Sequence, residues 1–272
     1  MIRLGVVGIG YVGGAVVAGF TKVHGVQIVT CDSNPDKHAD YLTERELANN
    51  ADIIFVSVPT PVGKTGECDI SMVEKVVREI SEANACKEVV IKSTVPPGTT
   101  LSLAEKYRNL NIIFNPEFLT EANYILDFKS QDKIILGVPH TEGERALPAA
   151  RLYKNAFPTT QTYIVDSNVA EMFKYTSNIF LATKVTFANQ IHKLCKASGI
   201  DYNEVAKLAR KEVRLGESHW TVPGPDGKYG FGGSCFPKDL SALIAFAEEV
   251  GEDTAFLTAV QTACKYHRGD DV

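Results

Sequence analysis

Long apolar stretches and long runs of like charge are missing from this sequence. No apolar stretch reaches the roughly 18 residues that a membrane-spanning helix needs, and no five residues of like charge follow one another. The formal net charge of -5 and the pI near 5.7 leave no basic surplus for nucleic acid or an anionic membrane surface. The N-terminus lacks the basic segment and cleavage site of a secretory signal. We therefore expect neither nucleic acid nor a membrane as a partner.

Closely spaced cysteines are missing as well. No C-x-x-C pair occurs, and the six cysteines show no metal-ligand spacing with the six histidines. We expect no metal site and a reducing, cytoplasmic location. What is present is an ordinary globular composition, 44% hydrophobic and 22% charged over 272 residues, which is long enough for two domains.

A glycine-rich turn follows the first predicted strand. Residues 2–7 form a short apolar run, and Gly8-Ile9-Gly10-Tyr11-Val12-Gly13 comes directly after it as G-x-G-x-x-G, ahead of small and apolar residues that suit a helix. A second apolar run ends at Asp32, about 20 residues further on, where a carboxylate that binds a ribose is expected. This pattern predicts a dinucleotide site, and Asp32 favours NAD over NADP because a carboxylate repels a 2′-phosphate. The alternative is an ordinary βα turn with a capping Asp.

Buried strands alternate with helical segments over the first part of the chain, which predicts a Rossmann-type, doubly wound parallel sheet. The further strands are predicted at residues 27–31, 52–58, 89–94, 111–114, 133–138 and 162–165. Thr60, Thr94 and Glu117 each follow a strand end, where the ligands of such sheets bind. Each of the three is also acceptable as an ordinary turn residue.

From about Asp166 the pattern becomes helical, and no Gly or Pro interrupts it before Gly199. Asn168 and Glu171 resemble a capping box at its start. We predict a Rossmann domain over residues 1–165 and an all-helical domain with a long central helix over residues 166–272.

Two pairs of polar residues have helical spacing. Glu117 and Glu121 would share a face if their segment were helical, and paired acids suit proton handling. Lys174 and Asn178 would point the same way and could polarise a substrate oxygen. Solvated surface residues are the alternative for both pairs.

The stretch from Gly230 to Asp239 reads Gly-Phe-Gly-Gly-Ser-Cys-Phe-Pro-Lys-Asp. Its glycines allow positive φ and close approach, and its proline stiffens the turn, so the stretch is suited to presenting Cys235 in a fixed place. The alternative is a tight turn with an incidental, buried cysteine.

Taken together, these motifs resemble the UDP-glucose/GDP-mannose dehydrogenase family, with the UDP-glucose 6-dehydrogenases as the closest type. The resemblance covers nearly the whole chain, and the cysteine stretch is its most specific part. It implies oxidation of a nucleotide sugar from alcohol to acid in two NAD-dependent steps, by way of a thiohemiacetal and a thioester on the cysteine.

The resemblance also implies the roles of single residues. Lys174 and Asn178 would hold the reacting oxygen, Glu121 would activate the hydrolytic water, and Thr94 and Asp239 would order that water and the lysine. The residues implied to be catalytic are Cys235, Lys174, Asn178, Asp239, Glu121 and Thr94. Those implied to bind the cofactor are Gly8, Gly10, Tyr11, Val12, Gly13, Asp32, Lys37, Pro59, Thr60 and Thr94. Those implied to bind the substrate are Glu117, Phe118, Leu119, Lys174, Asn178, Arg214, Phe231 and Gly232.

The sequence departs from the family in two places. Between Asp36 and Asp52 it is shorter than usual, and it ends at Val272, where family members continue into a UDP-binding domain. We expect that domain to be absent, and a separate chain is a candidate to supply it. A homodimer through the long helix is also expected. Two other functions stay open, a single-step hydroxyacid dehydrogenase that uses Lys174 and Asn178, and a non-catalytic NAD-binding module.

Overall fold

The computed structural model describes residues 1–83, 88–141 and 143–269. By their internal contacts, the residues group into two compact units: Met1–Pro61 with Asp69–Lys174, and Val62–Cys68 with Tyr175–Val272. The division of the chain after residue 165 stays a prediction. Residues 270–272 at the end of the chain lie outside the described part, and so does Cys86.

The first unit is built on a seven-stranded sheet in the order β2-β1-β3-β4-β5-β6-β7, which confirms the Rossmann-type fold. The strands are β1 (Ile2–Val7), β2 (Val26–Cys31), β3 (Ile53–Val56), β4 (Glu88–Ile91), β5 (Asn111–Phe114), β6 (Lys133–Val138) and β7 (Gln161–Asp166). All of them are rich in Val and Ile, which suit a sheet covered on both faces.

The sheet is not parallel throughout, which corrects the predicted pattern. Strands β1 to β5 run parallel, whereas β6 pairs antiparallel with β5 through Phe114 and Gly137. β7 then pairs parallel with β6 along its whole length. The chain from β5 to β6 contains only one six-residue helix, Tyr124–Lys129, and does not form the crossover that a parallel neighbour requires.

Helices cover both faces of this sheet. They are α1 (Tyr11–Phe20), α2 (Glu44–Asn49), α3 (Ser71–Glu82), α4 (Thr99–Lys106), α5 (Tyr124–Lys129) and α6 (Leu147–Ala156), with 3-10 turns at Pro35–Lys37, Pro139–Thr141 and Gly143–Ala146. Along β3, Ile54 and Val56 belong to the core under α2, α3 and α4, whereas Ile53 and Phe55 belong to the core under α1, α5 and α6. The alternation follows from the two-residue period of a strand.

The long helix α7 spans Ser167–Ala197, as predicted, but its start is built differently. The N–H of Asn168 donates to the Asp166 carboxylate at 2.9 Å, so Asp166 caps the helix. The buried Glu171 carboxylate instead accepts the N–H groups of Gly98 and Thr100 at 2.7 and 2.8 Å. The predicted capping box is therefore wrong, because Glu171 caps α4. Burial raises the pKa of Glu171 to about 7.

The second unit contains the rest of α7 and three further helices, α8 (Tyr202–Lys211), α9 (Phe236–Glu249) and α10 (Ala255–Arg268). One of its two cores joins α7, α9 and α10 around Ile179, Leu240 and Val260. The other joins α7 and α8 around Tyr202 and Trp220. Within residues 1–83, 88–141 and 143–269, no helix combines the length and the apolar character needed to cross a bilayer.

Candidate active site

The turn between β1 and α1 has the geometry of a dinucleotide-binding turn. Gly8 has φ +85°, and a Cβ added at Gly13 would lie 1.8 Å from the Gly8 carbonyl oxygen, so neither position accepts a side chain. A Cβ at Gly10 would meet no atom within 4 Å. The surface over Gly10, at the start of α1, is therefore open to a phosphate group, which the helix N-terminus favours.

Asp32 lies at this turn, as predicted. One of its carboxylate oxygens accepts the N–H of Ile9 at 2.6 Å, and the other accepts that of Asn34 at 2.9 Å. The end of β2 thereby holds a carboxylate next to the glycine turn, where a ribose hydroxyl would reach it. The open glycine and the fixed carboxylate fit an adenine dinucleotide.

The other predicted cofactor residues are spread around this edge of the sheet. Tyr11 opens α1 with its side chain exposed, and its ring meets that of Tyr124 edge-on at 5.4 Å. Val12 is half-buried on the same helix, whereas Lys37 and Pro59 are exposed on loops that follow β2 and β3.

Thr60 and Thr94, which both follow strand ends, are in contact. The buried Thr60 hydroxyl donates to the Thr94 carbonyl oxygen at 2.9 Å. The loops after β3 and β4 are thus tied together at the carboxyl edge of the sheet, which is where α/β proteins bind their ligands.

Lys174 forms a buried ion pair with Glu117. Its ammonium donates to the Glu117 carbonyl oxygen at 2.6 Å and to the carboxylate at 3.0 Å, and both side chains are less than 10% exposed. Burial alone would raise the pKa of Glu117, but the Lys174 charge, the Leu119 N–H and the nearby Lys92 outweigh it and lower that pKa. An ammonium has three donors, and the contacts within the described residues account for two of those of Lys174.

Glu117 and Glu121 do not share a helical face, so the condition for pairing the two acids is not met. The segment between β5 and α5 is not helical, and Glu117 is buried while Glu121 is exposed. The reason lies in the anchoring of the segment. The Asn115 side chain donates to the Ile135 carbonyl oxygen at 2.7 Å, and the Glu117 carboxylate accepts the Leu119 N–H at 2.7 Å.

Behind this segment lies a buried lysine whose role the sequence did not indicate. Lys92 donates to the Asn115 side-chain oxygen at 2.8 Å, and the Tyr153 hydroxyl donates to the same oxygen. Burial lowers the pKa of Lys92 to about 7. The signal available in the sequence was a lysine placed directly after an apolar strand. Such a position indicates burial, and a buried charge requires hydrogen-bonding partners.

In the second unit, Asn178 is fixed by Asp239. Its amide nitrogen donates to the Asp239 carboxylate at 2.6 Å, and both residues are buried. Lys238, to which the sequence gave no role, pairs with the other oxygen of Asp239. Asn178 lies one turn after Lys174 along α7, as its spacing predicts, so each of these two donors is held by its own carboxylate.

Cys235 occupies the N-cap position of α9. The helix begins at Phe236, and Pro237 at its first turn needs no N–H partner and presets φ. The start of a helix stabilises negative charge. Cys235 is half-buried, whereas Cys31, Cys68, Cys195 and Cys264 are buried.

The remaining predicted substrate residues have different surroundings. Phe118 lies against Lys174, whose nitrogen is 5.4 Å from the ring centroid, and the N–H of Leu119 is bound to Glu117. The Phe231 side chain belongs to the core of the second unit. Arg214 is on the surface, where its guanidinium pairs with Glu212 at 2.8 Å.

No group of three His, Cys, Asp or Glu side chains in residues 1–83, 88–141 and 143–269 is arranged to hold a metal ion.

The predicted substrate residue Gly232 lies three residues before Cys235, and Arg268 covers it.

Two family models match the chain. The NAD binding domain of the UDP-glucose/GDP-mannose dehydrogenase family matches residues 41–157, and the central domain of the same family matches residues 168–265. The glycine turn and Asp32 lie ahead of the first match, so their assignment rests on the geometry above. Together, the match and this geometry make NAD the cofactor of the first unit.

Known proteins of this family are similar along the chain. A UDP-glucose 6-dehydrogenase of Rickettsia bellii is 38% identical over 224 residues, which are 79% of this chain and 49% of the relative. A UDP-glucose 6-dehydrogenase of Pseudomonas aeruginosa is 36% identical over 225 residues, which are 78% of this chain and 48% of the relative. The chain spans about half the length of these curated relatives.

A solved UDP-glucose dehydrogenase from the archaeon Pyrobaculum islandicum superposes with a TM-score of 0.85 at 30% identity, over 98% of this chain and 68% of that one.

Proposed function

Because this chain belongs to the UDP-glucose/GDP-mannose dehydrogenase family, we propose that it oxidises a nucleotide sugar of the UDP-glucose type to the corresponding acid in two steps. The observation that carries the proposal is Cys235, the one described cysteine that is not buried, placed at the N-terminus of α9. A covalent adduct on a thiol is what separates a two-step oxidation from the single-step alternative.

In the first oxidation, a hydride and a proton leave the primary alcohol and an aldehyde forms. Bound NAD supplies the hydride acceptor in each oxidation. The remaining N–H of Lys174 and the amide of Asn178 are the groups that would bind the reacting oxygen. Their carboxylate partners fix both donors before the substrate arrives, so little reorganisation is needed as charge develops on that oxygen.

In the second oxidation, the Cys235 thiol adds to the aldehyde, so that a carbon–sulfur bond forms and the thiol proton passes to the aldehyde oxygen. Loss of a hydride from that carbon and of the hydroxyl proton then leaves a thioester. Water then breaks the carbon–sulfur bond, which releases the carboxylate and restores the thiol. We assign the activation of this water to Glu121, which is exposed to solvent. Thr94 and Asp239 would order it, and Glu117, bound to Lys174, supports the substrate site.

Replacing the thiol tests this assignment. Cys235→Ser removes the sulfur with little change in volume, and we expect the aldehyde to be released after one oxidation, because a hydroxyl is a much weaker nucleophile than a thiolate. The measurement is trapping of the aldehyde with a hydrazine reagent during turnover. Cys195→Ser, a buried cysteine in the core beneath α8, is the matched control and should release no aldehyde. Full conversion to acid by Cys235→Ser would rule out thioester chemistry.

The nucleotide end of the substrate needs further contacts. Since the matched relatives are about twice as long as the segments that align, we propose that residues outside this 272-residue chain bind the uridine diphosphate. A longer form of the chain or a separate polypeptide would supply them. The arrangement would be supported if UDP binds weakly to the chain alone and more tightly once the UDP-binding domain of a relative is added as a separate polypeptide. Tight binding of UDP by the chain alone would contradict it.

We also propose a homodimer through α7. Phe180, Phe187 and Leu194 are each more than half exposed and are spaced seven residues apart along the helix. A heptad of large apolar side chains is the pattern by which one helix packs against a second copy. The cytoplasm is the proposed location, in keeping with the absence of paired cysteine motifs in the sequence.

A further inference from the structure

The residues just ahead of Cys235 are held by side chains from two helices. The N–H of Gly230 donates at 3.0 Å to the side-chain oxygen of Asn189, which lies on α7 and is 1% exposed. The amide nitrogen of Asn189 donates to the Val185 carbonyl oxygen at 2.8 Å, which fixes the orientation of the acceptor. One end of the glycine stretch is thus attached to the buried interior of the second unit.

The next residue is held by a thiol. Cys264 of α10 is buried, and its sulfur accepts the N–H of Phe231 and donates to the Phe231 carbonyl oxygen, both at 3.3 Å. Gly230 has φ +70°, and a Cβ there would lie 3.0 Å from both the sulfur and the carbonyl oxygen of Cys264. Glycine is required at this position because α10 occupies the space of a side chain.

Arg268, one turn further along α10, covers the third residue. A Cβ at Gly232 would lie 2.7 Å from one terminal nitrogen of Arg268 and 3.0 Å from the central carbon of its guanidinium. Both terminal nitrogens donate to the Asp226 carboxylate at 3.2 Å, and one reaches the Tyr229 carbonyl oxygen at 3.5 Å. The Arg268 side chain is only 16% exposed. Arg268 lies three residues beyond the region that the central-domain family model matches.

The geometry points to Arg268 and Cys264 as positioning residues for the Cys235 thiol. From Gly232 the chain passes through only Gly233 and Ser234 before it reaches Cys235, the N-cap residue of α9. α9 packs against α10 through Leu240 and Val260, so α10 fixes both the stretch before the thiol and the helix after it.

The chemical consequence of this positioning rests on the proposed function. The first oxidation depends on Lys174 and Asn178, both fixed on α7, whereas the second needs the sulfur at bonding distance from the aldehyde carbon. A loosened loop reduces the effective concentration of the thiol. Loss of Arg268 should therefore impair the second oxidation more than the first.

Alkylation of the thiol tests the positioning role without any activity. Iodoacetamide is added to the full chain, and the labelling rate of each cysteine is followed by peptide mass spectrometry. We expect Arg268→Ala to label Cys235 about three- to tenfold faster than wild type does, with no change at the buried Cys195. Asp226→Asn, which removes only the carboxylate that holds the guanidinium, should show a smaller increase. Lys265→Ala, an exposed cation on the same helix, is the matched control and should leave both rates unchanged.

Two results would overturn the inference. Unchanged Cys235 labelling in both variants would show that Arg268 does not restrain the loop, and a joint rise at Cys235 and Cys195 would show general loosening of the unit. During turnover, Arg268→Ala should also lower the NADH formed per sugar from two toward one and release trappable aldehyde. If wild type forms no NADH while Arg268→Ala still speeds labelling at Cys235, the proposed function fails and the positioning role stands.

Discussion

Single buried charges carry much of the chemistry proposed for this chain. Lys174 and Asn178 each have a carboxylate partner, Glu117 and Asp239, and are held before any substrate binds. Removal of Lys174 or Glu117 would leave the other buried charge without its partner, which costs about 3–5 kcal/mol. The ion pair that holds this proposed donor in place thus also makes its replacement destabilising.

Glu88, at the start of β4, offers a test of a buried carboxyl that has no role in the site. Burial raises its pKa from 4.5 to about 8, and one oxygen accepts an N–H of Asn111 at 3.0 Å. The folded chain therefore keeps a proton that the unfolded chain loses above pH 4.5, so this group lowers stability as the pH rises toward 8. Glu88→Gln cannot ionise and removes that loss.

Urea unfolding at about pH 5 and pH 9 measures the effect. We expect the free energy of unfolding of Glu88→Gln, relative to wild type, to increase between these pH values by on the order of 2 kcal/mol. Glu249→Gln, an exposed control, should show no such trend. Parallel stability curves for Glu88→Gln and wild type would show that the carboxyl ionises normally in the folded chain.

At the scale of elements, the turn between β1 and α1 allows a comparison of two glycines. Gly13→Ala would place a methyl group 1.8 Å from the Gly8 carbonyl oxygen, so the turn must open, and we expect a loss of ~3 kcal/mol or more. Gly10→Ala meets no atom within 4 Å, so the chain should unfold at the temperature of wild type. Its methyl group would occupy the space proposed for the cofactor phosphate, and NAD binding should weaken about tenfold or more.

Calorimetric titration of NAD and thermal unfolding separate the two effects. Wild-type NAD affinity in a fully folded Gly10→Ala would contradict the placement of the pyrophosphate at this turn. Equal stability of Gly13→Ala and wild type would contradict the close approach of α1 to β1.

Local sequence signals were enough for most elements of the fold. The bounds of β5 and β6 were predicted to the residue, because each strand is an apolar run between polar or turn-forming residues. The direction of β6 was not predictable, since it depends on pairing with β5 across a loop. The conformation of the segment from Asn115 to Glu121 was not predictable for a similar reason, because it is set by contacts with β6 and with the segment's own carboxylate.

The residues of the candidate site could largely be identified from the sequence, whereas most of the contacts between them could not. Cys235, Lys174 and Asn178 were identified by motif and spacing, and the pairing of Asn178 with Asp239 follows from neither. Arg268 left no signal in the sequence at all, because its role depends on α10 packing beside a loop that precedes it by some thirty residues. Long-range contacts of this kind are the part that required coordinates.

At the scale of the whole molecule, the exposed face of α7 predicts self-association. Phe180→Glu combined with Phe187→Glu places two charges on that face and should prevent pairing by repulsion and desolvation. Light scattering should give twice the chain mass of 29.7 kDa for wild type and a single chain mass for the variant. Leu208→Glu, which changes an equally exposed apolar residue on α8, should remain dimeric. A monomeric wild type would remove the proposed dimer.

The proposed two-step oxidation has a direct numerical consequence, which is the amount of NADH formed for each UDP-glucose consumed. The measurement combines absorbance at the NADH band with chromatography of the sugar nucleotide, using the chain together with the UDP-binding domain of a relative. We expect two NADH per UDP-glucose, with the acid as product, because the aldehyde passes to Cys235 without leaving. One NADH per sugar would favour a single-step dehydrogenase, and none would leave an NAD-binding module without this activity.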